Sequence, residues 1–162
     1  MGSEIGIRVR LLPAGPLREG AWRLGQVNAV IYNGLSTLAG SASMQIVPTA
    51  WVNAKTQERK ELNYFLNTKV HAVAGIGNPQ RFFSTLDTLR VDYKEHVFPD
   101  HYAFAATDLN VMDDYSNQLV MTEKDWVKCA GFATDSMWYL EVGAQLDSQF
   151  EQKLLNDLVV LS

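Results

Sequence analysis

Residues 69–89 read KVHAVAGIGNPQRFFSTLDTL, and this stretch decides the fold class. Its first part, 69–74, is a short and nearly continuous apolar run, the pattern of a strand buried on both faces. Gly75 and Gly77 end that run. Asn78 can cap a helix, and Pro79 suits a first helical position, where the missing N–H costs nothing. Phe82, Leu86 and Leu89 then recur at helical spacing. Strand, tight turn and amphipathic helix in succession make one β-α unit, and such units belong to parallel sheets.

The same alternation continues toward the C-terminus. VDYKEHVF (91–98) alternates as a half-buried strand, FPDHY (98–102) makes a turn, and a short helix is expected near Thr107. QLVM (118–121) reads as another buried strand. TEKDWVKCA (122–130) reads as a short helix with Thr122 as cap and Asp125 three positions on. MWYLEV (137–142) is strand-like, and DSQFEQKLLNDLVVL (147–161) places Phe150, Leu154, Leu158 and Leu161 on one helical stripe. The expected architecture is therefore α/β: a mostly parallel sheet flanked by helices over roughly residues 69–162.

Residues before this region are organised differently. VNAVIY (27–32) looks like a buried strand. MQIVPTAWVN (44–53) and RKELNYFL (59–66) look like two strands joined by the polar turn AKTQE. A hairpin between a lone strand and the β-α repeats reads as a linker or flap. The expected division is 1–66, an N-terminal segment with a hairpin linker, followed by an α/β domain over 67–162.

Composition narrows the function classes. The chain has 162 residues, a net charge of −4 and no Lys/Arg cluster, which argues against nucleic acid as the main partner. A single cysteine, Cys129, excludes an internal disulfide and a cysteine-based zinc cluster, as expected of a cytoplasmic protein. Leu24–Ala54 carries no charge, but Gln26, Asn28, Asn33, Gln45 and Pro48 interrupt every apolar run, so it fails as a membrane span. The sequence contains no G-x-x-x-x-G-K-[ST], G-x-S-x-G or H-E-x-x-H motif.

Ligands of open α/β sheets sit at the carboxyl ends of the strands. If the strands are parallel, GIGNPQR (75–81), FPDHY (98–102) and TEKD (122–125) gather on one edge. Each loop carries two readings. GIGNP is a tight strand-to-helix turn, or a place where backbone approaches an anion at a helix N-terminus. TEKD is a capping box, or it places Lys124 near an anion. His101 is an ordinary turn residue or half of a catalytic pair. His71, inside a buried strand, reads as a satisfied core residue, and His96 as structural or exposed. LLPAGPLREG (11–20) presents Arg18 beside Glu19 after a proline-held loop, suited to phosphate or metal work or else a solvated helix start.

Taken in order, LLPAGPLRE, HAVAGIGNPQRFFSTL, FPDHYAF with the following TDL, and VMTEKDWVKC resemble the C-terminal half of tetraacyldisaccharide 4′-kinase. This is the lipid A kinase of Gram-negative bacteria, and the resemblance runs from about Leu11 to the end. It implies a phosphotransferase of lipopolysaccharide biosynthesis that moves the ATP γ-phosphoryl group to the 4′-hydroxyl of a tetraacyldisaccharide 1-phosphate. It implies Mg and ATP as cofactors of the full-length family, held largely by an N-terminal lobe with the Walker A loop that this sequence lacks. By the same resemblance Asp100 and His101 are catalytic. Arg18 and Glu19 lie near the nucleotide phosphates, with Glu19 toward Mg. Asn78 and Lys124 are substrate- or anion-binding. The implied partners are the lipid A disaccharide precursor, the cytoplasmic face of the inner membrane and the missing N-terminal lobe, with a homodimer as a further option. The expectation is a chain that is inactive and binds no ATP alone. The alternative is a stand-alone binding or regulatory module derived from the kinase.

Overall fold

The computed structural model describes residues 20–34, 41–110 and 116–160. Its strands are β1 (Ile31–Asn33), β2 (Ala42–Asn53), β3 (Arg59–Lys60), β4 (Lys69–Ala74), β5 (Asp92–Val97), β6 (Leu119–Thr122) and β7 (Met137–Leu146). Its α-helices are α1 (Pro79–Thr88), α2 (Glu123–Cys129) and α3 (Ser148–Val160). The chain forms two compact units, one of residues 46–145 and one of 1–45 with 146–162.

In the larger unit the hydrogen-bonded strand order is β2-β7-β6-β4-β5, with β3 pairing on β2. β4 runs parallel to both β5 and β6, and β6 parallel to β7. The Ala54 N–H bonds Met137 and Thr49 meets Glu141, so β2 runs against β7. The expected mostly parallel α/β sheet is what forms.

From β4 the chain steps outward through α1 to β5, whereas from β6 it steps the opposite way through α2 to β7. Right-handed crossovers in opposite directions put their helices on opposite faces. Accordingly Phe82, Phe83 and Leu86 of α1 pack with Val70, Ala72 and Trp138 on one face. Cys129 of α2 packs with Val73, Met121 and Tyr139 on the other. The strand order therefore reverses between β4 and β6, the position where open α/β sheets leave a crevice.

The hairpin differs from its expected form. Trp51 on β2 is fully buried in the α1-side core, and its indole N–H donates to the Leu62 carbonyl. β2 is thus a working strand of the sheet and no loose flap. The turn closes through Asn53, whose Oδ1 accepts the N–H groups of Lys55 and Thr56, as an Asn in an Asx-turn does. The second arm is strand only over Arg59–Lys60. Residues 62–65 instead wind into a 3-10 turn that buries Phe65, where its ring meets Trp51 edge-on.

In the smaller unit β1 is three residues long, exposed throughout, and pairs parallel with Ala42–Met44. The buried strand expected over 27–32 is therefore shorter and uncovered. An apolar run specifies what can be buried, but burial also needs a packing partner, and Val27 and Ile31 stay 45% and 44% exposed. Here too Asp147 accepts the N–H of Phe150 and so caps α3.

One pH effect arises from the sheet. Glu141 on β7 accepts from the Arg59 guanidinium and the Thr49 hydroxyl. These hydrogen bonds, Arg59's first, hold its carboxyl below the ordinary range against the effect of desolvation. A depressed folded value contributes stability above the unfolded value, which fades as pH falls through the folded one. Arg59 is more than half exposed, so Glu141→Gln should cost at most about 1 kcal/mol at pH 7. Urea midpoints should converge for the two proteins as pH drops below about 4; a gap that persists there would assign the loss to packing instead.

Candidate functional site

The three loops expected to meet do meet, and side chains tie them together. The Gly75 N–H donates to Asp125 Oδ2 at 2.9 Å, joining the end of β4 to the first turn of α2. Lys124 Nζ lies 3.4 Å from Asp100 Oδ1, joining α2 to the turn after β5. A Cβ on Gly77 would stand 3.2 Å from Asp100 Oδ2, and one on Gly75 would stand 2.9 Å from the Phe104 ring and 3.2 Å from Asp125 Oδ1. Both glycines serve close approach of neighbouring side chains. Neither is required by a positive φ.

Asp100 and His101 occupy the tip of the turn after β5. His101 has φ of +60°, the left-handed region that few side chains other than Asn, Asp and His adopt readily. Its backbone N–H donates to Asp100 Oδ1 at 3.0 Å, and its Nε2 lies 3.6 Å from Asp100 Oδ2. Desolvation pushes the Asp100 carboxyl up. The charges of His101 and Lys124, with the hydrogen bonds each supplies, outweigh that and leave it lowered. The imidazole is 78% exposed, open to whatever approaches this edge.

TEKD forms its cap. Thr122 Oγ1 accepts the Asp125 N–H and donates to Asp125 Oδ2, so the cap is formed. Lys124 faces a carboxylate, Asp100, as its nearest charged group. Asn78 stands at the N-cap of α1 without a side-chain cap bond and is exposed. Arg18 and Glu19 lie outside the described residues.

Sequence reasoning missed how deeply Asp125 is used. It is fully buried, and besides Gly75 and Thr122 it binds Lys128 Nζ at 2.8 Å. The same ammonium donates to the Gly75 carbonyl at 3.1 Å. An Asp followed three residues later by Lys on a capped helix was the visible signal. That both would reach across to β4 is tertiary information. Cys129, also buried, has its thiol pushed up to about 11 by burial and by Asp125, which disfavours the thiolate. Among the described residues no group of three or more His, Cys, Asp or Glu could hold a metal ion. The magnesium expectation rests on Glu19.

Beside this cluster runs a groove of about 610 Å³ on the α1 face, within the ~300–1,000 Å³ typical of small-molecule sites. Ile46, Pro48, Leu140 and Val142 form its floor, Arg81 and Phe82 a wall, and Asn78 and Lys124 also line it. Two residues expected to bind substrate thus share one cavity, and Lys124 connects it to Asp100.

An open α/β domain with acidic, basic and imidazole groups converging at its strand-order reversal is the class defined by these features. The family model for tetraacyldisaccharide-1-P 4′-kinase matches residues 3–159, and the chain belongs to that family. It is 46% identical over 151 residues to the tetraacyldisaccharide 4′-kinase of Hahella chejuensis, covering 91% of this chain and 44% of the relative. To that of Methylobacillus flagellatus it is 44% identical, covering 99% and 48%. The crystal structure of LpxK from Aquifex aeolicus in complex with ATP shares the fold, with a TM-score of 0.65 at 22% identity, covering 94% of this chain and 49% of that one. The chain spans about half the length of the curated relatives it matches. No helix among the described residues is long and apolar enough to cross a membrane.

Proposed function

We propose that this chain is the C-terminal part of a kinase that phosphorylates the 4′-hydroxyl of tetraacyldisaccharide 1-phosphate. Residues 1–66 would supply the remnant of the other lobe and the hairpin leading from it. The observation that carries the reading is the meeting of Asp100, His101 and Lys124 at the sheet's strand-order reversal, in a chain of this family.

Phosphoryl transfer is mostly positioning and charge stabilisation, and the attacking hydroxyl needs a proton acceptor. His101, exposed and backed by the ionised Asp100, is suited to take or steer that proton together with a carboxylate of the N-terminal lobe. Lys124 holds Asp100 and offers positive charge to an anionic substrate, with Asn78 beside it. Arg18 and Glu19 would face the nucleotide phosphates and Mg. ATP and Mg, when bound, would supply the phosphoryl group and the countercharge for it. An acylated substrate calls for work at a membrane surface, which by the family resemblance would be the cytoplasmic face of the inner membrane.

The test joins the N-terminal half of the Hahella chejuensis relative to this chain. The chimera should phosphorylate tetraacyldisaccharide 1-phosphate, and the isolated chain should show no turnover. A folded chimera that binds ATP yet leaves the lipid untouched would count against the assignment and favour a stand-alone binding module, and turnover by the isolated chain would overturn both readings.

A further inference from the structure

The groove on the α1 face has a lining that its neighbours do not explain. Val142 on its floor is 44% exposed and Val127 at its α2 end is 65% exposed. The nearby polar side chains are largely committed. Thr85 Oγ1 donates to the Arg81 carbonyl, and Thr122 is held in the cap with Asp125. The aliphatic side chains Ile46, Pro48, Val127, Leu140 and Val142 suit an alkyl chain, and Asn78, Arg81, Glu123 and Lys124 add polar groups to the same lining. Arg81 and Lys124, both exposed, outnumber the single carboxylate of Glu123 in the same lining, and Lys124 leads directly to Asp100 and His101.

We infer that this groove holds one acyl chain of an amphiphilic substrate, with the anionic head group drawn to Arg81 and Lys124. The inference rests on the kinase reading above and adds to it the place where the lipid's apolar part is recognised. A polar reacting head and an apolar tail then fit one continuous surface. The hydroxyl end lies at the turn after β5, and the chain runs over β7 and β2.

The experiment uses n-alkyl phosphates from hexyl to dodecyl, kept below their micelle concentrations and titrated calorimetrically into the isolated chain. Saturable one-to-one binding should tighten about fourfold per added methylene, corresponding to the ~0.8 kcal/mol of a buried CH₂. Val142→Asp, a change at an exposed position, should weaken decyl phosphate at least tenfold while leaving the thermal midpoint unmoved. Arg81→Glu should weaken alkyl phosphates but spare the matching alkanols. No binding, or affinity independent of chain length, overturns the inference. Displacement by adenosine overturns it in favour of a nucleoside site. Binding by the isolated chain that vanishes in the chimera also overturns it, because the groove would then be an interface with the other lobe. Turnover by the chimera tests the kinase reading separately. A chimera that phosphorylates lipid beside a chain that ignores alkyl phosphates removes the groove and leaves the kinase standing.

Discussion

In the chimeric kinase, His101→Ala should lower kcat by roughly a hundredfold or more while KM changes little, as expected for loss of a general acid–base group. The structural grounds are the exposure of the imidazole, its position beside an ionised Asp100 and its place at a strand's carboxyl end. His101 also has a positive φ, so replacement by Ala strains the turn, and a drop in activity alone would be ambiguous. His101→Asn supplies the control, because Asn tolerates that backbone conformation but cannot take the proton. If the Asn variant loses kcat as severely as Ala with an unchanged thermal midpoint, the imidazole is the lost function. If Asn restores activity, the residue serves turn geometry. A rise in KM with constant kcat would move His101 to substrate binding.

How legible this site was in the sequence depended on which part of it was local. The β-α repeats were readable because each unit announces itself within a dozen or so residues. The apolar run 69–74 and the Asn78-Pro79 start of α1 are examples. From parallel strands alone it followed that the loops at 75–81, 98–102 and 122–125 share an edge, and they do. The polar turn after MQIVPTAWVN is local and therefore legible, but nothing in that stretch says that Trp51 enters the core beside Phe65 and Trp138. β1 shows the converse: Ile31 and Tyr32 are apolar enough to be buried, yet the strand's side chains remain exposed. His71 was expected inside and is there, with its Nδ1 2.8 Å from His96 Nε2 across the β4–β5 pair, a partnership invisible without the register. The groove was unreadable for a related reason, since it is assembled from two strands and two helices distant in sequence.

The second large effect is expected at Asp125, and on stability. Asp125→Ala should destabilise the chain by about 3 kcal/mol, the usual cost of removing one partner of a buried ion pair. Three groups lose their acceptor together: the Gly75 N–H, the Lys128 ammonium and the Thr122 hydroxyl. Thr122 can turn to water and Lys128 is 22% exposed, so the buried Gly75 N–H bears the loss most fully, at about 1–3 kcal/mol for an unmet backbone donor. Asp125→Asn keeps the shape and can still accept from Gly75, but its amide cannot offset the Lys128 charge, so an intermediate loss is expected. Lys128→Met combined with Asp125→Asn removes that orphaned cation and should recover part of the loss. Urea unfolding of the four proteins measures all of this. Hydrogen exchange at the Gly75 amide should quicken in the Ala variant before the protein as a whole unfolds. A loss below about 1 kcal/mol for Asp125→Ala would mean that water replaces the carboxylate freely. The loop joining β4 to α1 would then hold its place beside Asp100 without this anchor, through the packing of Phe104 against Gly75.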